Sequence, residues 1–224
     1  MTSAAPFTEA RERLCETLHE MAAAKLSPGS TGNASVRVDG GMLISPTGAA
    51  CASIKPADLV FIDQRGHTET GALRPSSEWH MHSAIYQARP EAGAIVHCHS
   101  RYATTLACLG KTIPAYHYMI AVAGGDSIEL ADYATFGTDQ LASAVIKALN
   151  KRKACLMANH GQIAFGSSPE QALALAIQVE DLAAGYCQCL TLGEPRLLST
   201  DEMNEVLAKF SNYGLQPQQP MQRR

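Results

Sequence analysis

The chain is expected to fold as one α/β domain, and three observations lead there. Its 224 residues, 46% hydrophobic and 17% charged, have the size and make-up of a single soluble core. Stretches with apolar residues at helical spacing alternate with short runs rich in Val, Ile and Phe, and no internal repeat or interior linker divides them. The run Ala94-Ile95-Val96-His97-Cys98-His99 has Ile and Val at its centre, which favours a strand. Side chains on a strand alternate faces, so Ile95, His97 and His99 share one face while Val96 and Cys98 share the other.

In order, Leu14, Leu18, Met21 and Leu26 mark an amphipathic helix over about 7–26, ended by Ser27-Pro28-Gly29. A polar turn, Thr31-Gly32-Asn33-Ala34, leads into a hairpin of strands 35–38 and 42–44 about Asp39-Gly40-Gly41. The return strand runs into a second polar turn, Ser45-Pro46-Thr47-Gly48, and 59–62 is another strand. Pro75-Ser76-Ser77-Glu78 precedes a helix carrying Trp79, Met81, Ile85 and Tyr86, with Ser76 or Ser77 expected as its N-cap. His80 and His82 fall on that helix two residues apart, hence on different faces, and are not read as a metal pair.

After the two-histidine strand, Ser100 caps a helix through Leu109, and 113–119 reads as extended. Gly124-Gly125 breaks the chain before 133–137. Thr138 starts a helix with Leu141, Val145, Ile146 and Leu149 inward. A buried strand at 155–158 ends in Asn159-His160-Gly161, and 162–165 leaves that turn. Ser168-Pro169-Glu170-Gln171 opens a helix to Leu192, and Ser199 opens a last one with Val206, Leu207 and Phe210. The domain is placed at 1–213, and the Gln- and Pro-rich 214–224 is expected to be a flexible tail.

A net charge of -3 with no basic stripe argues against nucleic acid as a partner. The seven cysteines, at 15, 51, 98, 108, 155, 187 and 189, form no C-x-x-C pair and read as buried, reduced thiols of a cytoplasmic protein. Charged residues interrupt the N-terminal segment, so no signal peptide is expected, and no apolar run suggests a membrane partner.

His97 and His99 on one strand face supply two legs of a metal site, and His160, at a tight corner beside Gly161, supplies a third. Three imidazoles are the usual protein share of a catalytic zinc site, with the fourth place left for water or substrate. Glu78 is placed to fill that position or to act as a base. The two polar turns and the Ser76-Ser77 helix start form a candidate anion cradle. Together these point to metal-assisted carbon-acid chemistry on a phosphorylated sugar.

The chain resembles the class II aldolase/adducin family. The resemblance is carried by Thr31-Gly32-Asn33-Ala34-Ser35-Val36, Ile44-Ser45-Pro46-Thr47-Gly48, Pro75-Ser76-Ser77-Glu78-Trp79, Val96-His97-Cys98-His99 and Asn159-His160-Gly161. Ile113-Pro114-Ala115-Tyr116-His117-Tyr118-Met119-Ile120 and Tyr133-Ala134-Thr135-Phe136-Gly137-Thr138 point to its fuculose-phosphate branch. The resemblance implies a mainly antiparallel central sheet flanked by helices and one Zn2+ per subunit on His97, His99 and His160. Glu78 would be the fourth ligand of the resting site and the acid/base. It implies a phosphate pocket of Gly32, Asn33, Thr47, Gly48, Ser76 and Ser77, and Phe136 as an aromatic wall. Tyr118 would reach in from a neighbouring subunit as a proton donor, and Tyr213 would close over the site.

The assembly implied is a homotetramer with sites between subunits. The reaction implied is cleavage of L-fuculose 1-phosphate, or a similar ketose 1-phosphate, to dihydroxyacetone phosphate and L-lactaldehyde through a metal-stabilised enediolate. Aldolases for 5-deoxyribulose or 5-methylthioribulose 1-phosphate and pentulose-5-phosphate 4-epimerases share the scaffold and stay open as alternatives, as does a non-catalytic adducin-like module. One departure is visible: Asn159 stands where some relatives have histidine.

Overall fold

Both faces of the central strands are apolar, so helices must cover both. The computed structural model, which describes residues 7–69 and 71–210, shows how. The elements in chain order are α1 (Thr8–Ala23), β1 (Asn33–Val38), β2 (Gly41–Ile44), β3 (Val60–Asp63), α2 (Trp79–Ala88), β4 (Ala94–Cys98) and α3 (Arg101–Cys108). They continue with β5 (Leu130–Ala131), α4 (Asp139–Leu149), β6 (Ala154–Met157), β7 (Gly161–Gly166), α5 (Pro169–Leu192) and α6 (Thr200–Phe210). The strands form one sheet in the order β3-β2-β1-β4-β7-β6-β5. Every pairing is antiparallel except that of the two-residue β5 with β6. The mainly antiparallel α/β fold expected from the sequence is therefore present.

The period-2 alternation divides the core. Ala34, Val36, Leu43, Ala94, Val96, Cys98 and Ala164 point to the layer formed by α1, α3 and α5. Met42, Ile44, Ile95, Ile163 and Phe165 point to the layer formed by α2 and α4. His97 and Ser35 share the second face but lie toward its polar end, where Asn33 is the Cα partner of His97 and Ser35 that of Ile95. The first residue of β1 is thus set beside the metal-type histidine of β4.

Three local expectations are corrected. Glu78, not Ser76 or Ser77, stands at the N-cap of α2; Ser76 Oγ accepts only the Glu78 N–H, at 3.3 Å, and the Glu78 carboxylate is turned away from its own helix toward the histidines. Ser100 stands at the N-cap of α3, but its hydroxyl accepts a bond from Gln162 Nε2 at 2.8 Å. The first N–H groups of α3 are capped instead by the Glu180 carboxylate of α5, at 2.9 Å from the N–H groups of both Tyr102 and Ala103. The segment 113–119 is extended only at its start, because Tyr118–Ala123 winds into a 3-10 turn whose cap is the His117 imidazole. Thr138, Ser168 and Ser199 cap α4, α5 and α6 as expected.

The seven cysteines are all unpaired, but only Cys15, Cys51, Cys98 and Cys155 are buried as expected; Cys187 and Cys189 are half-buried, and Cys108 at the end of α3 is exposed. Among the described residues no helix is long and apolar enough to cross a membrane. The proposed tail, and Tyr213 with it, lies outside the described residues.

Phe165 is 1% exposed, with the Arg89 guanidinium 4.7 Å from its ring centroid. Phe165→Ala is expected to destabilise the fold by about 3–5 kcal/mol, since a cavity adds to the lost burial. Chemical denaturation checks this, and a loss below about 1 kcal/mol would contradict this account of the α2/α4 layer.

Candidate active site

A histidine at the end of a central strand is held rigidly, and this site is built from such ends. His97 lies near the end of β4, His99 follows one residue past it, and His160 occupies the turn between β6 and β7. Asn159 enters that turn at φ 54°, a left-handed conformation that asparagine tolerates better than most residues. Gly161 then lets strands β7 and β4 close up, because a Cβ there would collide with Cys98 O and lie 3.1 Å from His99 Cδ2. Glu78 arrives from the opposite side at the start of α2.

The three imidazole rings stand edge to face in all three pairings, each pair of centroids 4.9 Å apart. His97 Nε2 is 3.0 Å from His99 Nε2 and 3.1 Å from Glu78 Oε2, and His160 Nε2 is 3.2 Å from Glu78 Oε1. One donor atom from each of the four residues lies within 4.8 Å of every other. The His97 Nδ1–H donates to the Gln162 carbonyl at 2.8 Å, and a carbonyl can only accept, which leaves Nε2 as the nitrogen that faces the centre. Glu78 Oε1 is buried without a hydrogen-bond partner. Two imidazole nitrogens at contact distance beside an unsatisfied carboxylate oxygen fit a divalent cation. The donor set of three nitrogens and one oxygen is of the kind zinc takes.

The electrostatics agree. Burial pushes the Glu78 carboxyl up, but the neighbouring His97 and His160 outweigh it and hold the group ionised, well below the usual carboxylate range. Burial likewise opposes charge on His97, yet the Glu78 carboxylate raises it. His99 is pulled down to about 4, by burial first and then by the charges of His97 and His160, so its ring stays neutral.

The cluster forms the floor of a cleft of about 300 Å³ that Glu78, His99 and His160 line. Its rim joins the two polar turns to the start of α2. Thr47 N–H bonds Arg74 O and Ser76 N–H bonds Ser45 O, both at 3.0 Å, which ties the second turn to the Ser76-Ser77 segment. Gly32 sits at φ 78°, where a Cβ would meet Ser27 Oγ and come within 2.9 Å of His97 O. Gly32, Asn33, Thr47, Gly48, Ser76, Ser77 and Phe136 all line the cleft. Asn33 is further engaged: its Nδ2–H donates to Glu78 Oε2 at 2.9 Å and its Oδ1 lies 2.6 Å from His82 Nε2. Tyr118 is half exposed, stacks on His117, and is absent from this cleft.

Several residues outside the expected set of site residues lie in or beneath the cleft. Tyr133, Thr31 and Asn159 line the cleft. His82 and Tyr86 hydrogen-bond Ser35 beneath it. A signal was available, because Glu78, His82 and Tyr86 are spaced by four and so share one helix face.

Residues 12–187 match the family described as Class II Aldolase and Adducin N-terminal domain. A 5-methylthioribulose-1-phosphate/5-deoxyribulose-1-phosphate aldolase of Rhodospirillum rubrum is 46% identical over 210 residues, covering 94% of this chain and 95% of that one. An L-fuculose phosphate aldolase of Escherichia coli K12 is 48% identical over 204 residues, covering 91% and 94%. A solved L-fuculose 1-phosphate aldolase structure superposes with a TM-score of 0.87 at 39% identity, covering 94% of this chain and 98% of that one.

His99→Ala should drop bound zinc, measured by mass spectrometry of the dialysed protein, from stoichiometric toward background. Stoichiometric zinc in that variant would remove His99 from the donor set. Adding zinc to the stripped parent should raise its melting temperature, because the ion binds only the folded arrangement.

Proposed function

The chain belongs to the class II aldolase and adducin family and is a class II, metal-dependent aldolase, and on that premise we propose that it uses Zn2+ to cleave a ketose 1-phosphate into dihydroxyacetone phosphate and a short aldehyde. The observation that carries the reading is one cleft with two chemistries. Its floor gathers three imidazoles and an ionised carboxylate, and its rim is a set of hydroxyls and backbone N–H groups suited to a phosphate.

His97, His99, His160 and Glu78 would hold the cation. When bound, it supplies Lewis-acid stabilisation of the negative charge that builds on the substrate carbonyl oxygen. In this reading Gly32, Asn33, Thr47, Gly48, Ser76 and Ser77 hold the phosphate. That anchors the dihydroxyacetone half against the floor and presents its C3 to Glu78. Cleavage needs a proton to leave the C4 hydroxyl and one to reach C3 as the C3–C4 bond breaks. Glu78, 6% exposed and ionised at rest, carries the proton exchanged at C3. Tyr118 carries the one at C4, and its exposed position outside its own cleft supports delivery from a neighbouring copy in a homotetramer. Phe136 and Tyr133, both exposed, wall the aldehyde side, and Tyr213 would close over it.

L-Fuculose 1-phosphate, which would give L-lactaldehyde, is the substrate expected from the Tyr116-His117-Tyr118 and 133–138 motifs. A second substrate, a 5-deoxy- or 5-methylthio-ribulose 1-phosphate, is favoured by the Rhodospirillum rubrum relative, which is 46% identical across 94% of the chain.

A coupled assay for dihydroxyacetone phosphate decides between them. Chelator-sensitive cleavage faster on the fuculose ester supports the first, and a reversed preference supports the second. No cleavage of either by zinc-loaded protein rejects the aldolase reading. Glu78→Gln should keep zinc while turnover falls by roughly 100-fold or more, and unchanged turnover would take Glu78 out of the reaction. Tyr118→Phe should lower turnover in a protein that light scattering shows to be tetrameric, and full activity in a monomer would refute the shared site.

A further inference from the structure

Beneath the carboxylate runs a chain of buried polar groups whose hydrogens can be assigned by elimination. The Asn33 Nδ2–H donates to Glu78 Oε2, 2.9 Å away, which turns the amide oxygen to the other side. Asn33 Oδ1 then faces His82 Nε2 at 2.6 Å, which makes Nε2 the protonated nitrogen. His82 Nδ1 is left as an acceptor and takes the Ser35 hydroxyl proton at 2.7 Å. Ser35 has spent its only proton, so Tyr86 O–H donates to Ser35 Oγ at 2.8 Å. Each link fixes the next.

His82 and Ser35 are fully buried and Tyr86 nearly so, which leaves water no route to substitute for a lost link. Burial, and then the neighbouring His97 charge, pulls His82 down to about 3, so the ring stays neutral and keeps this one-donor, one-acceptor form.

We propose that His82 is a positioning residue of the reaction: held in its Nε2–H form by Ser35 and Tyr86, it locks the Asn33 amide so that one NH2 group serves the Glu78 carboxylate and the substrate phosphate together. The Asn33 NH2 has two hydrogens. One is used by Glu78, and the second has no protein partner among the described residues while Asn33 lines the cleft beside Gly32 and Ser76. Were the amide to flip, Oδ1 would face the carboxylate and the cleft would lose its donor. The phosphate half of this inference rests on the function proposed above.

The test compares zinc-loaded His82→Phe, which is close in shape but has no donor, with His82→Gln, whose amide can still donate to Asn33 Oδ1. Inorganic phosphate is titrated by calorimetry, bound zinc is counted, and kcat and KM are measured for the ketose ester. For His82→Phe the expected result is phosphate Kd raised and kcat lowered, each by about tenfold, the loss of one hydrogen bond to a charged group. Zinc should remain stoichiometric, and His82→Gln should return within about threefold of the parent, as such partly compensated bonds allow.

A His82→Phe protein that melts lower yet keeps phosphate Kd and kcat within about twofold overturns the proposal, since buried polar bonds also serve plain stability. So does a His82→Gln protein as impaired as His82→Phe. If His82→Phe does not fold, Ser35→Ala decides: it frees His82 Nδ1, and parental phosphate affinity there overturns the proposal. Should no ketose ester be cleaved, the kcat arm falls with the function, while the phosphate and zinc arms still decide the role of His82.

Discussion

Burying an ionised carboxylate is costly, and here the cost is met by two imidazoles and an amide brought to it from separate parts of the chain. Glu78 is 6% exposed, and His97 and His160 facing it hold it in the charged form. That requirement ties the start of α2 to the ends of β1 and β4 and to the β6–β7 turn. The same convergence leaves Oε1 unsatisfied and two imidazole nitrogens in contact, a local arrangement that a divalent cation relieves. The candidate cation site and the charged state of Glu78 are therefore one physical problem, solved once.

Close backbone approach is what makes the convergence possible. At Gly161 a side chain would strike the end of β4 and press on His99, and at Gly32 it would strike Ser27 and approach the His97 carbonyl. Behind the ligands, Gln162 joins the two layers. Its backbone carbonyl orients His97, while its side chain bonds Ser100 Oγ and Ala176 O on the α5 side. The strand that presents the third histidine turn thus also fixes the tautomer of the first.

How much was legible in the sequence follows from the range of each interaction. The alternation through β4 placed Ile95 and His97 on one face and Val96 and Cys98 on the other, because strand geometry is local. Caps at Thr138, Ser168 and Ser199 were readable for the same reason. The start of α2 and the role of Ser100 were misread because a hydroxyl or carboxylate at a helix start can be claimed by a partner distant in sequence. Glu78 answers to His97 and His160, and Ser100 answers to Gln162. The 3-10 turn at Tyr118 was missed because its cap is an imidazole, outside the usual capping set.

The sequence by itself determined the single α/β domain, the alternation of side chains along β4 and the residue types of the site, since periodicity and donor chemistry are written in local order. Its motifs also carried the family. Only the tertiary structure decided that Asn33 bonds Glu78, that His82 joins Asn33 to Ser35 and Tyr86, and that Tyr118 stands apart from the cleft of its own chain. Those are contacts between residues some 45 to 50 positions apart or more, set by strand register and helix placement, and no local pattern encodes them.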